Sequence, residues 1–134
     1  MKPSVLFVCV KNGGKSQMAA GLMSALVDNR ITVFSAGTQP GTKINDLSAQ
    51  VLLAQGIDIR TERPKLLTED AMKVVDLVVV LGTEAQVPEV DGASVEVWEL
   101  NEPSTRGIEG HERMLLMRDE INSRVKALAE RLLL

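Results

Sequence analysis

The stretch from Val5 to Val27 constrains this chain more than any other. Val5-Leu6-Phe7-Val8 is an unbroken apolar run containing β-branched residues, the pattern of a strand buried on both faces. It gives way at Cys9 to a short polar, glycine-containing segment, Val10-Lys11-Asn12-Gly13-Gly14-Lys15. Over Ser16–Val27 the period then changes from that of a strand to that of a helix, with Met18, Ala19, Leu22, Met23 and Leu26 at helical spacing. A strand without a polar face must be covered from both sides, so the chain is committed to helices packed on both faces of a sheet.

The remaining pattern agrees. Ile31–Ala36 reads as a second strand closed by Gly37, and Asp46 as the cap of a helix carrying Leu47, Val51 and Ala54 and stopping at Gly56. Thr68, followed by Glu69 and Asp70, starts another helix. Asp76–Leu81 is a third strand and the candidate for the sheet centre; Val95-Glu96-Val97-Trp98 is a fourth, with alternating faces. From about Glu109, Met114, Met117, Ile121, Val125, Leu128 and Leu132 mark one face of a long helix. The expectation is an α/β fold, a four-stranded parallel sheet with helices on both faces, in one domain over residues 1–134. Ligands of such sheets lie beyond the carboxyl ends of the strands. The loops after Val8, Leu81 and Trp98 should converge there, bringing Cys9 and Glu102 to one edge.

Composition narrows the function classes. A net charge of −3 argues against a nucleic-acid-binding surface. The longest apolar stretch, Val74–Leu81, is interrupted by Asp76 and falls far short of the roughly 20 residues that span a bilayer, so no membrane is expected. The opening Met1-Lys2-Pro3 and the short run after it lack the features of a secretory signal, which makes the cytoplasm the default. With one cysteine, no intramolecular disulfide or thiolate cluster can form, and with one histidine, His111, no metal site is expected. Any redox work by Cys9 needs a thiol from another molecule.

A loop that joins a buried strand directly to a helix points successive N–H groups at one spot, and the helix amino terminus adds positive potential. Val10, Lys11, Asn12, Gly13 and Gly14 are therefore the candidate oxyanion-binding residues, and the paired glycines allow close approach. Lys15 adds a full charge and Ser16 a hydroxyl within reach of the sulfur. The same field favours the thiolate of Cys9, a nucleophile facing a tetrahedral centre. Two other readings stand beside this one. A lone cysteine at a strand end is often a small buried hydrophobe. Gly14-Lys15-Ser16 is also the tail of a nucleotide P-loop, but the first glycine of that motif falls on Cys9, and Asp76 begins its strand instead of closing it.

The segment Val5–Met18 resembles the active-site segment of low-molecular-weight protein tyrosine phosphatases and their arsenate reductase relatives, which carry Cys-x5-Arg-Ser after the first strand. Ser35-Ala36-Gly37-Thr38, Gly56-Ile57-Asp58-Ile59, Arg63-Pro64-Lys65, the Asp76–Leu81 strand and Glu102-Pro103 extend the resemblance over nearly the whole chain. Ser16-Gln17-Met18-Ala19-Ala20 is closer to the arsenate reductase branch. There are departures. Lys15 stands where the family has arginine, and an ammonium lacks the planar fork of a guanidinium. Glu102 replaces the family's aspartate before proline, and Ser104 follows Pro103 in place of an aromatic residue. Gly82-Thr83-Glu84-Ala85 carries none of the additional cysteines of reductases that resolve their intermediate internally.

The resemblance implies an arsenate–thiol transferase. Cys9 is then the nucleophile on arsenate, Lys15 and Ser16 support it, and Glu102 is the general acid. No cofactor is bound. A low-molecular-weight thiol, mycothiol by resemblance or else glutathione, is the cosubstrate, and a redoxin reduces the released adduct. A low-molecular-weight phosphatase and a non-catalytic oxyanion-binding module are the alternatives. Asn12 is expected to brace the loop, Lys11 and His111 to lie at the surface, Trp98 to pack in the core or near the Glu102 loop, and Asn101–Gly110 to be the mobile element.

Overall fold

The computed structural model describes residues 2–134. Four strands, β1 (Ser4–Cys9), β2 (Thr32–Gly37), β3 (Leu77–Leu81) and β4 (Val95–Trp98), form one sheet in the order β2-β1-β3-β4, with every pairing parallel. Helices α1 (Lys15–Val27), α2 (Asp46–Leu53) and α4 (Gly110–Leu132) pack over one face and α3 (Glu69–Val74) over the other. The α/β architecture with helices on both faces is thus the observed one.

Alternation along β1 divides the core. Val5 and Phe7 enter the larger cluster with Leu22, Leu52, Met117 and Ile121, whereas Leu6 and Val8 enter a smaller one with Met72, Val78 and Val80. β1 and β3 are the two interior strands, and each reads as a nearly continuous apolar run for that reason. β4 is an edge strand, and its pattern is inverted relative to a simple amphipathic strand. Val95 and Val97 are exposed, whereas Trp98 is buried; Trp98 packs against Phe7 and its Nε1 donates to Glu96 at 2.7 Å.

Several local expectations are corrected. The cap of α2 is Asn45, whose Oδ1 accepts from the Ser48 N–H at 2.9 Å; Asp46 is the first helical residue. In α1 the buried residue of the last turn is Val27, and Leu26 is 42% exposed. Leu132 lies only partly buried beside the core. Asn101–Gly110, expected as the mobile element, contains a 3-10 turn, Pro103–Arg106, capped by the Glu102 side chain and ended by Gly107 at φ 80°. The start of α3 is the expected one: Thr68 caps it, its Oγ1 accepting from Ala71 N–H at 3.1 Å.

In the order β2-β1-β3-β4, the chain runs from β1 outward to β2, then crosses back over β1 to β3. The change of direction falls between the carboxyl ends of β1 and β3, the place where such sheets open a crevice. Cys9 ends one of these strands and Leu81 the other. No described helix is long and apolar enough to cross a membrane, and the described residues hold no group of three or more His, Cys, Asp or Glu able to hold a metal ion.

Candidate active site

The loop from Cys9 to Gly14 is gripped by its carbonyls. Thr38 N–H donates to Cys9 O at 3.1 Å, Gln39 N–H to Val10 O at 2.8 Å, Gly41 N–H to Lys11 O at 3.0 Å and Asn45 N–H to Gly13 O at 2.7 Å. Gln17 Nε2 donates to Asn12 O at 3.2 Å, and Met18 N–H to Gly14 O at 2.8 Å. With all six carbonyls engaged, the amides of Lys11, Gly13 and Gly14 find no acceptor among the described residues. The first amides of α1 have no intrahelical partner either. Oriented carbonyls on one side and unanswered N–H groups on the other make an anion cradle from backbone alone.

The close fit rests on Gly37 at the end of β2. A Cβ there would lie 2.6 Å from Val10 O and 2.9 Å from Asn12 N, both backbone atoms. Within the loop, Gly13 serves by close approach and not by an unusual backbone angle. Neither Gly13 nor Gly14 has a positive φ, and a Cβ on Gly13 would sit 3.0 Å from Lys43 O. The left-handed residue is Asn12, at φ 53°, a residue type that tolerates this region.

Asn12 is fully buried and joins three segments. Its Oδ1 accepts from Lys65 N–H at 2.9 Å and from Gln17 Nε2 at 3.2 Å, and its Nδ2 donates to Ser16 Oγ at 2.7 Å. Ser16 Oγ lies 2.9 Å from Cys9 Sγ, and Asn12 N–H donates to the sulfur at 3.3 Å. The Arg63-Pro64-Lys65 segment serves the loop through its backbone. Lys65 O also accepts from Gly37 N–H at 2.7 Å, and Arg63 O accepts from Gln17 at 3.3 Å.

Cys9, 7% exposed, opens onto a cavity of about 780 Å³. Val10, Lys11, Gly13, Gly14 and Lys15 line it, whereas buried Asn12 and Ser16 stand behind the wall. Residues 42–48, Met114 and Met117 also line the cavity. Lys15 Nζ is 3.8 Å from Glu84 Oε1, which belongs to the loop after β3 and lines the same cavity.

Glu102, expected as the general acid, stands beside the sulfur's cavity and not in its wall. It lines a smaller neighbouring cavity of about 170 Å³ together with Lys15 and Glu84, and it does not line the one that holds Cys9. Arg113, from the first turns of α4, grips the Glu102 carboxylate with two nitrogens, Nε to Oε2 at 2.8 Å and Nη2 to Oε1. Ser104 N–H adds a third donor at 3.0 Å. The Arg113 hydrogen bonds, aided by that of Ser104 and opposed by partial burial, hold the carboxyl down at about 2. In this arrangement the Glu102 carboxylate is held as an acceptor of three hydrogen bonds, from Arg113 Nε, Arg113 Nη2 and Ser104 N–H.

Sequence reasoning missed Arg113 and Glu84. Arg113 lies four residues before Met117 on the helix, hence next to the apolar stripe that faces the cavity. Glu84 lies in a loop already expected at the sheet's carboxyl edge. His111 and Lys11 are exposed, and the Arg124 guanidinium carbon stands 6.0 Å from the Trp98 ring centroid.

Comparison with known proteins gives a consistent picture. A 30% identical relative over 135 residues, covering 96% of both chains, is an arsenate reductase of Shouchella clausii. A thioredoxin-dependent arsenate reductase of Corynebacterium glutamicum superposes with a TM-score of 0.82 at 32% identity, over 98% of this chain. This chain spans 62% of the length of that one. A low molecular weight protein tyrosine phosphatase from T. tengcongensis superposes with a TM-score of 0.77 at 26% identity, covering 98% of this chain and 100% of the other. The family model of low molecular weight phosphotyrosine protein phosphatase matches residues 4–133. A cysteine at the end of the first strand, its backbone cradle and this match agree: the chain belongs to the low molecular weight phosphotyrosine protein phosphatase family.

Proposed function

We propose that the protein is an arsenate reductase that works as an arsenate–thiol transferase. The observation that carries this reading is the cradle itself: six carbonyls turned outward, unpartnered amides turned to the crevice, and a sulfur at its floor. Arsenate fits that description as a tetrahedral oxyanion. Cys9 forms a sulfur–arsenic bond, an arsenic–oxygen bond breaks, and the departing oxygen leaves as water after taking up a proton. Amides of Lys11, Gly13 and Gly14 and the Lys15 ammonium hold the charge that develops, and Ser16 and the Asn12 N–H hold the sulfur. Glu102 supplies the proton only after Arg113 has let go of it.

The chain has one thiol, so the second step needs an external one. A low-molecular-weight thiol, mycothiol or glutathione, displaces Cys9 from arsenic. A redoxin thiol then attacks the sulfur of the released adduct; arsenic gains two electrons and leaves as arsenite, and the two thiols become a disulfide. A cavity of about 780 Å³ leaves room beside the oxyanion for such a cosubstrate. The same room favours a second reading, a phosphatase whose ester group occupies that space.

The test is arsenite production by purified protein with arsenate, each thiol and its redoxin, and with the redoxin alone. Turnover that needs a small thiol and disappears in Cys9→Ser supports the transferase, whereas turnover with the redoxin alone replaces it by direct reduction. Thiol-independent hydrolysis of p-nitrophenyl phosphate favours the phosphatase. No arsenite under any condition, or full turnover in Cys9→Ser, defeats the proposal.

A further inference from the structure

We infer that Arg113 provides the guanidinium that the oxyanion loop lacks: on anion binding it leaves Glu102 and grips the oxyanion from the α4 side. The inference rests on the oxyanion-site reading above and goes beyond it in assigning a residue outside the loop. Four observations carry it. The loop has an ammonium, Lys15, where a planar fork is the better grip on two oxygens, and that ammonium is already shared with Glu84 at 3.8 Å. Arg113 is the one arginine among the described residues that line the Cys9 cavity, where it stands with Gly13, Gly14 and Lys15. Its Nε and Nη2 form a fork on a carboxylate, the geometry that a bound arsenate or phosphate offers equally well. Its Nη1 makes no hydrogen bond to any described residue, and the side chain is 26% exposed, so it is not locked in by packing.

The exchange has a consequence for Glu102. While Arg113 holds it, the carboxyl is ionised. Transfer of the guanidinium to the oxyanion removes the largest influence that lowers the carboxyl's proton affinity, so the carboxylate, still ionised at neutral pH, takes up a proton more readily than before. One movement then both clamps the substrate and frees the group next to Pro103 to take up and deliver a proton. Ser104 N–H still holds one carboxylate oxygen, so Glu102 keeps its place while Arg113 moves.

The experiment is a double-mutant cycle on inorganic phosphate binding, read from protection of Cys9 against iodoacetamide, with melting temperatures to establish folding. Arg113→Gln should weaken phosphate binding at least 10-fold, and Arg113→Lys by less. Glu102→Gln, which keeps an oxygen for Ser104 N–H, should strengthen binding several-fold by releasing Arg113. In the Arg113→Gln background the same Glu102→Gln change should do much less. With arsenate, Arg113→Gln should raise KM and lower kcat together. Unchanged phosphate affinity in folded Arg113→Gln, or equal effects of Glu102→Gln in both backgrounds, overturns the inference and leaves the cradle intact. If the Gln variant does not fold, Arg113→Lys and Glu102→Gln decide by the same opposite signs. A parent protein that phosphate does not protect at all defeats the oxyanion-site reading, and the inference with it.

Discussion

Replacing Asn12 by aspartate is expected to turn the Ser16 hydroxyl away from Cys9 and slow every reaction of the sulfur. The direction of the hydrogen-bond chain is set at its far end. Lys65 N–H can only donate, so the Asn12 atom 2.9 Å from it is the carbonyl oxygen, which leaves Nδ2 for Ser16 Oγ at 2.7 Å. Ser16 accepts there, and its own proton is free for Cys9 Sγ at 2.9 Å. Aspartate has the same shape but no N–H. Lys65 N–H, Gln17 Nε2 and the Ser16 hydroxyl together favour its charged form, so the hydroxyl now donates to the carboxylate. The sulfur is left with one donor, Asn12 N–H at 3.3 Å. A hydrogen bond to a charged group contributes about 1.5–3 kcal/mol, which corresponds to roughly 10- to 150-fold in rate. Alkylation by iodoacetamide at pH 7 measures this directly, with a melting curve to show that the variant is folded. Ser16→Ala should lose reactivity in the same range, and the double variant no more than the larger single loss. A folded Asn12→Asp protein alkylated as fast as the parent, or a double variant whose losses multiply, refutes the relay.

Gly37→Ala places a methyl 2.6 Å from Val10 O without any help from flexible side chains; overpacking of about 1–3 kcal/mol is expected, seen as a lower melting temperature together with loss of phosphate protection at Cys9. Lys15→Arg should tighten phosphate binding several-fold by adding a fork, whereas Lys15→Met should weaken it, both measured by the same protection assay. Glu102 has a folded-state carboxyl at about 2 against an ordinary 4.5, so its pairing with Arg113 stabilises the fold fully above pH 4.5 and is lost as pH falls toward 2. The melting temperatures of parent and Glu102→Gln should therefore differ by a constant amount above about pH 5 and converge below it.

The sheet was legible because buried parallel strands carry their signal in contiguous residues, as Val5–Val8 and Leu77–Leu81 do. β4 was legible as a strand, but which of its faces is covered was not, since the covered side chains are Glu96 and Trp98 while two valines face outward. That inversion depends on Trp98 meeting Phe7 and on Glu96 meeting Arg131 at 2.8 Å, contacts 35 or more residues apart in the chain. The cradle was readable in outline from strand, loop and helix, yet its working parts lie elsewhere. Thr38, Gln39, Gly41, Asn45 and Lys65 supply the backbone N–H groups that hold the loop, and a side-chain pattern carries no record of them. Glu102 shows the opposite failure: its place before Pro103 was noticed, but its partner Arg113 was not, because only the packing of α4 on the sheet brings them together.

The placement of charge explains how an acidic chain can still receive an anion. Four cations line the Cys9 cavity, and three of them stand beside a carboxylate: Lys15 with Glu84, Lys43 with Asp46 at 3.9 Å, and Arg113 with Glu102; the fourth, exposed Lys11, makes no ion pair with a described residue. The fields of the three pairs largely cancel at a distance, so Lys11 alone supplies the crevice's long-range pull on anions. Close to the sulfur the balance differs, since the amide dipoles of the loop are fixed and have no counter-charge. A monovalent anion has little with which to compete against three carboxylates. A tetrahedral oxyanion carrying more than one charge can answer the amides and still draw a cation from its partner. On this argument, selectivity lies in the exchange of partners and not in the number of positive charges, and a loop lysine in place of arginine is tolerable because the amides carry most of the binding. Chloride should accordingly protect Cys9 poorly at concentrations where phosphate protects it well, and equal protection by the two would show that the carboxylates impose no such competition.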